Sequence, residues 1–212
     1  MPELPDGSRT VSTRPRPVEP TAAPSPPAKH VPGEQGVWVL IFGDMLLFTM
    51  LFGAYLNSRS HNRALFAESQ LALNRTLGVA NTLVLLCSSM LIVLAVRAMR
   101  STQFRHLAAR LTLAGALVGS CFVIVKVIEY RTKVAAGITP NTNEFFLYYF
   151  ALTGLHLVHV IVGLIALLVL WRFARRTETT RTQVAVFEGG GCFWHMVDLL
   201  WLIIFPLVFL VH

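Results

Sequence analysis

The sequence predicts an all-helical integral membrane protein, in which five transmembrane helices form one antiparallel bundle. Its hydrophobic fraction is 54%, its charged fraction is 14% and its mean hydropathy is +0.60, which together separate it from ordinary soluble domains. Five mostly apolar runs are each long enough to cross a hydrocarbon core of about 30 Å. None shows the alternating pattern of a membrane strand, so all five are expected to be helices.

Two regions follow from the distribution of these runs. Residues 1–32 are rich in Pro, Ser, Thr and Arg, and this composition predicts a disordered cytoplasmic tail with no secretory signal. Residues 33–212 are predicted to form the membrane domain. Its helices are expected at about 36–57, 77–96, 107–129, 145–170 and 192–211.

The basic residues predict how the bundle is oriented. Twelve Lys and Arg residues lie on one side of the membrane, before the first run and in or beside the second and fourth loops. Five lie on the opposite side of the membrane. By the positive-inside rule the N-terminus is cytoplasmic and the C-terminus lies outside. Because these charges flank apolar runs, topology and anionic lipids explain the net charge of +7, and no nucleic-acid partner is expected.

Asp44 is an ionisable residue inside the first run. It is either a protonatable functional group or a structural carboxyl that is bonded to a neighbouring helix or is neutral through desolvation. The residue types alone leave both interpretations open.

Small and polar residues in the second and third runs are typical of helix contacts in membranes. Gly115 and Gly119 have the GxxxG spacing that allows a neighbouring helix to approach closely. Hydrogen bonds between helices are expected from Asn81, Thr82, Ser88 and Ser89.

Two further pairs lie three residues apart on their helices. Lys126 and Glu129 are interpreted as an interfacial ion pair with a snorkelling lysine, in preference to a transported-ion site. His156 and His159 are interpreted as hydrogen-bonded packing residues. The alternative is a metal site, for which the near ligands are Glu188, His195 and Asp198.

The last run carries polar residues at the head of an apolar stretch. Trp194, Asp198 and Trp201 share one helical face, and His195 lies three residues before Asp198. This face must contact protein, because an ionisable group facing lipid costs several kcal/mol. Together with the histidine pair and Glu188, it is expected to form a structural polar network.

The order of these motifs resembles subunit III of the haem-copper respiratory oxidases, the cytochrome c oxidase type. The resemblance covers residues 33–212 and is carried by five blocks. The first is FGDMLLFTMLFGAY around Asp44, where the family usually has Glu, and the next are NTLVLLCSS and the pair Glu129 and Tyr130. The fourth and fifth blocks are TGLHLVHVIVG and FEGGGCFWHMVDLLW.

The resemblance implies a short, five-helix bacterial form of a non-catalytic accessory subunit in the plasma membrane. Haem and copper would belong to subunits I and II, and this chain would bind no redox cofactor. It would support assembly, lipid contacts, including a bound phospholipid, and proton uptake during oxygen reduction, with Asp44 in the position of the family's membrane Glu. Lys126 departs from the Gln that is common at its position.

Three alternatives stay open from the sequence. The first block also resembles an accessory protein of nitric oxide reductase. A small ion-coupled transporter would use Asp44, Glu129 and Asp198 as a relay, although no repeat or broken helix supports it. A haem-binding cytochrome would use His156, His159 and His195 as ligands.

Overall fold

The computed structural model describes residues 35–101, 103–175 and 181–211. The predicted N-terminal tail, residues 1–32, lies outside these described residues. The helices are α1 (Gln35–His61), α2 (Arg63–Gln70), α3 (Arg75–Arg100), α4 (Arg105–Ala135), α5 (Glu144–Ala174) and α6 (Arg181–Phe205), which continues into a π-helical turn at Pro206–Leu210. Five of these segments are long and apolar enough to span a membrane, so the predicted fold class is confirmed.

Four helices surround a common core. α3 packs on α4, α4 on α5, α5 on α6 and α6 on α3, which closes a four-helix bundle. α6 is the central span, since 61% of the residues in its most apolar stretch are buried, whereas the corresponding share in α1 is 6%. α1 therefore lies at the periphery, where it contacts α5 and α6.

Several helices extend beyond their predicted bounds. Asn74 and Asn143 cap α3 and α5, each through a side-chain oxygen that accepts a hydrogen bond from the backbone N–H three residues later. The prediction that the last helix begins near residue 192 was wrong, because α6 begins at Arg181. The run of glycines before Cys192 allows close packing: a Cβ at Gly190 would lie 2.7 Å from Leu170 Cδ1 on α5.

The short helix α2 lies between the first two predicted spans, where the sequence predicts no helix. Its Phe66 is fully buried, against Tyr55 of α1 and Phe145 of α5. Gln70 donates hydrogen bonds from Nε2 to the carbonyls of Val208 and Val211, at 3.0 and 2.9 Å. α2 therefore fixes the end of the chain's last span to the connection between α1 and α3.

We call the end of the bundle where α3 and α5 end and α4 and α6 begin the basic end. Its helix termini carry Arg97, Arg100, Arg105 and Arg172. The other end carries α2 and the connection between α4 and α5.

Candidate functional site: polar side chains between the membrane helices

Asp44 and His159 form a pair between α1 and α5, which we call the boundary pair. The His159 Nε2 atom lies 3.2 Å from Asp44 Oδ1, and the side chains are 15% and 20% exposed. The imidazole also packs edge-on against Phe48 of α1, with ring centroids 5.4 Å apart. The pair is thus held by protein on one side and is open at the bundle's periphery on the other.

The second nitrogen of His159 determines how the boundary pair holds a proton. Nδ1 lies 2.8 Å from the carbonyl oxygen of Leu155. Because a carbonyl can only accept, Nδ1 carries a hydrogen and donates it. The contact between Nε2 and Asp44 then requires one further proton, either on Nε2 as an ion pair or on the carboxyl as a neutral pair. The boundary pair is therefore a site that holds one proton at the edge of the bundle.

A second polar group joins α3 to α6. Ser89 Oγ lies 2.6 Å from His195 Nδ1. Ser89 also lies beside the Asp198 carboxyl, whose Oδ1 atom is buried and has no hydrogen-bond partner among the described residues. These three side chains thus join two helices within the membrane layer and leave one carboxyl oxygen unpaired.

Trp201 forms the centre of an aromatic stack in the core. Its Nε1 donates to Thr82 Oγ1 at 3.0 Å, and its ring stacks on His156 with centroids 5.3 Å apart. Phe122 of α4 contacts both rings edge-on. His156 is fully buried, but neither of its nitrogens has a hydrogen-bond partner among the described residues. The expectation that His156 is a hydrogen-bonded packing residue is corrected, because it packs through its ring faces.

Other predicted network residues have separate surroundings. Glu188 pairs with Arg100 across the basic end, with Oε1 2.8 Å from Nε, and does not join His195 or Asp198. Ser88 donates to the carbonyl of Gly115 at 2.8 Å. In the described part of the chain, the buried amide of Asn81 has no hydrogen-bond partner, which corrects the expectation that it bonds to another helix.

Trp194 occupies a slot between two glycines, which we call the indole slot. A Cβ on Gly119 of α4 would lie 2.7 Å from Trp194 Cζ2, and one on Gly163 of α5 would lie 2.8 Å from Trp194 Cε3. The indole nitrogen has no hydrogen-bond partner among the residues that the structure describes. Gly119 therefore accommodates a side chain of α6, while Gly115, against Ile92 and the Ser88 carbonyl, provides the close contact with α3.

Lys126 and Glu129 form an ion pair, with Nζ 2.8 Å from Oε2. The lysine does not snorkel, since its side chain is 0% exposed and that of Glu129 is 5% exposed. The ammonium lies 4.8 to 5.6 Å from the ring centroids of Trp201, Tyr149 and Phe209. These rings surround the stem and head of the lysine, so the side chain stays inside the bundle.

One hydrogen bond links the ion pair to α5. Tyr149 donates from its hydroxyl to Glu129 Oε1 at 2.8 Å. The pair is therefore part of the packed core, with both carboxylate oxygens engaged.

With this geometry established, comparisons with known proteins assign the family. A family model for cytochrome c oxidase subunit III matches residues 32–211, which include all five spans. The chain belongs to the cytochrome c oxidase subunit III family. The resemblance inferred from the motifs is thereby confirmed.

Curated relatives of this family extend over most of the chain. Cytochrome bo(3) ubiquinol oxidase subunit 3 of Buchnera aphidicola is 29% identical, and the match covers 82% of this chain and 84% of the relative. Cytochrome c oxidase subunit 3 of Synechocystis is 32% identical over 82% of this chain and 74% of the relative. Heme-copper oxidase subunit I+III of Aeropyrum pernix is 27% identical over 82% of this chain and 22% of that longer relative.

The polar side chains described above lie in separate pairs and packed contacts. Among the described residues, no three His, Cys, Asp or Glu side chains come together in a way that could hold a metal ion. His156 faces Trp201 and Phe122, while His159 faces Asp44. The two histidines of this subunit III family member therefore do not converge on a common ligand position.

Sequence reasoning missed the boundary pair and placed Asp44 and His159 in separate roles. α1 and α5 are far apart in the chain, and nothing in a single sequence states that they touch. The Arg100–Glu188 pair was easier to predict from the sequence, because alternating spans place the end of α3 and the start of α6 at the same end of the bundle.

Proposed function

We propose that this chain is a non-catalytic accessory subunit of a respiratory haem-copper terminal oxidase of the cytochrome c oxidase type. The observation that carries the proposal is the family match over residues 32–211, which spans the whole membrane domain. Curated relatives named as subunit 3 of both cytochrome c and ubiquinol oxidases support it. In this role the chain supports assembly, lipid contacts and proton uptake during oxygen reduction.

The partners in this proposal are oxidase subunits I and II. The relative from Aeropyrum pernix is named subunit I+III, so its name joins the two subunits. This supports a position of the present chain beside a subunit I. Haem and copper are then expected in the partner subunits, and this chain would bind none of them.

The location we propose is a bacterial plasma membrane, with the N-terminus in the cytoplasm. Five spans indicate a multi-pass membrane protein. The excess of Arg and Lys at the basic end and in the N-terminal region supports a cytoplasmic basic end.

The proton-uptake part of the proposal rests on the boundary pair. Asp44 and His159 hold one proton between them at 3.2 Å, and both side chains are partly exposed at the periphery. The shared proton can lie on Nε2 or on the carboxyl without a change in the total charge of the pair, and its transfer to another acceptor would leave Nε2 facing a carboxylate oxygen. We infer that this pair supports proton entry to the complex, and that the polar groups of the core serve assembly.

The lipid-contact part rests on an apolar groove beside α1. The groove has a volume of about 480 Å³ and is lined by α1, α5 and α6, including Val37, Val162 and Phe193. An acyl chain matches its apolar lining. Another subunit is expected to complete this side of the complex.

The test is purification of the complex from native membranes through a tag on this chain. We expect haem-containing partners to co-purify and the complex to reduce oxygen, while the isolated chain has no haem absorption band. Nitric oxide reduction without oxygen reduction would support the reductase-associated alternative. Proton-coupled solute uptake by vesicles containing this chain alone would support the transporter. The relatives reported above carry oxidase names and favour neither alternative.

A further inference from the structure

Two buried polar atoms of α6, Trp194 Nε1 and Asp198 Oδ1, have no hydrogen-bond partner among the described residues. Trp194 is 1% exposed and Asp198 is 6% exposed, so both side chains lie inside the bundle. Buried polar groups are almost always hydrogen-bonded, because an unmade bond in an apolar interior is costly. Each of these atoms therefore requires a partner other than the side chains packed around it.

The two atoms lie on one face of the helix and complement each other. Trp194 and Asp198 are four residues apart on α6, a spacing that places two Cβ atoms about 5–6 Å from each other. A helical side chain leans toward the preceding turn, so the carboxyl of Asp198 is directed toward the indole. The indole N–H can only donate a hydrogen bond, whereas a carboxylate oxygen accepts one. One small molecule between them would satisfy both atoms.

Polar groups of α3 border the same part of the core. A Cβ on Gly119 of α4 would lie 2.7 Å from Trp194 Cζ2 and 3.2 Å from Ser88 Oγ of α3. Cζ2 is bonded to the ring carbon that carries Nε1, so the Ser88 hydroxyl lies near the nitrogen-bearing edge of the indole. Ser88 donates its hydrogen to a backbone carbonyl of α4, and its oxygen can still accept a hydrogen bond. The next residue, Ser89, lies beside the Asp198 carboxyl.

The chemistry of the two atoms selects water in preference to a cation. A cation would bind Asp198 Oδ1, but it would also face the hydrogen of the indole N–H, which repels it. A water molecule accepts from Trp194 Nε1 and donates to Oδ1, and it accepts from Oδ1 if the carboxyl is protonated. Water therefore satisfies both atoms in either charge state of the carboxyl. Ser88 offers an acceptor for a third bond, the number that a buried water typically makes.

We propose that the core of the bundle binds one structural water molecule between Trp194 Nε1 and Asp198 Oδ1. This water sets which way the indole faces in its slot, because it holds the nitrogen-bearing edge toward the carboxyl while Gly119 and Gly163 contact other ring atoms. The site goes beyond the proposed function, since it depends on the packing of this chain and not on the identity of its redox partner. If the oxidase assignment failed, the water site would still stand.

The experiment is a cryo-EM structure of the purified complex, at a resolution that shows ordered waters elsewhere in it. We compare the wild type in sodium buffer and in rubidium buffer, because exchange of a bound cation would change the density and a water would not. Trp194→Phe removes the N–H group from which the water accepts. Trp201→Phe is the matched control, because it also removes an indole N–H, but this group donates directly to Thr82.

The expected result is one density peak within hydrogen-bond distance, about 2.5–3.2 Å, of both Trp194 Nε1 and Asp198 Oδ1, with the same height in both buffers. The peak should be absent from Trp194→Phe and present in Trp201→Phe. A wild-type map without the peak, or with Trp194 bonded directly to a protein group, would overturn the proposal. So would a peak that changes with the cation, or one that is unaltered in Trp194→Phe. If a variant does not assemble, the two wild-type maps decide the proposal by themselves.

Discussion

Substitution of Gly163 by Ala tests the indole slot directly. The new Cβ would lie 2.8 Å from Trp194 Cε3 and 3.0 Å from Cζ3, and another helix restrains the opposite side of the same indole. The ring therefore cannot move away without pressing on Gly119. Gly53→Ala on α1 is the matched control, because nothing lies within 4 Å of its added Cβ.

The size of the effect follows from overpacking. Forcing one extra methyl group into a packed core costs about 1 to 3 kcal/mol. The gain in helix propensity from Gly to Ala, about 1 kcal/mol, occurs in both variants and cancels in the comparison. In thermal unfolding of the purified complex, the melting temperature of Gly163→Ala should thus lie below that of Gly53→Ala by on the order of 5 °C.

A second substitution determines whether the indole causes this loss. Trp194→Phe removes the six-membered ring that carries Cε3 and Cζ3, so the double variant Gly163→Ala/Trp194→Phe should be more stable than the sum of the single effects by about 1 kcal/mol or more. Additive effects, or equal melting of Gly163→Ala and Gly53→Ala, would refute the reasoning.

Three further predictions concern charged groups. Lys126→Met should lower the stability of the complex by about 3 kcal/mol, because it leaves the buried Glu129 carboxylate without its partner. In a melting assay, the double variant Lys126→Met/Glu129→Gln should recover most of the lost stability. With either Asp44→Asn or His159→Gln, the complex should still assemble but should lose activity faster during turnover. The double variant should behave like each single variant, because both substitutions break the same pair. Progress curves identical to those of the wild type would remove the proposed proton role. Arg100→Gln removes the exposed partner of an ion pair whose Glu188 side chain is only 11% exposed. It should lower stability by about 1 kcal/mol, and by less in high salt.

Much of the fold could be predicted from hydropathy, because the bilayer requires long apolar helices. The first and last residues of the helices were harder to predict. The last helix was predicted to begin near residue 192, yet the glycines before Cys192 lie within α6, where Gly190 packs against Leu170 of α5 and Gly191 against Val96 of α3. The prediction did not include α2, because hydropathy selects long apolar runs and these eight residues are short and polar on average.

The candidate site was harder to predict than the fold. The residue types at Asp44, His159 and His195 could be selected from the sequence, since polar groups in apolar runs are unusual. Which of them meet depends on how helices distant in the chain are arranged. For the same reason the sequence predicts a snorkelling Lys126, whereas three aromatic rings from α5, α6 and the turn that follows enclose its side chain.

The indole slot also bears on how the protein is made. α1 leaves the ribosome first and lies at the edge, whereas α6 emerges after the other four spans and supplies the side chain that separates α4 from α5. The earlier helices pack directly on one another, and the indole adds the contact that joins α4 and α5 at this depth once α6 is in place. A chain that ended before Trp194 would leave the two glycine-lined surfaces without this contact.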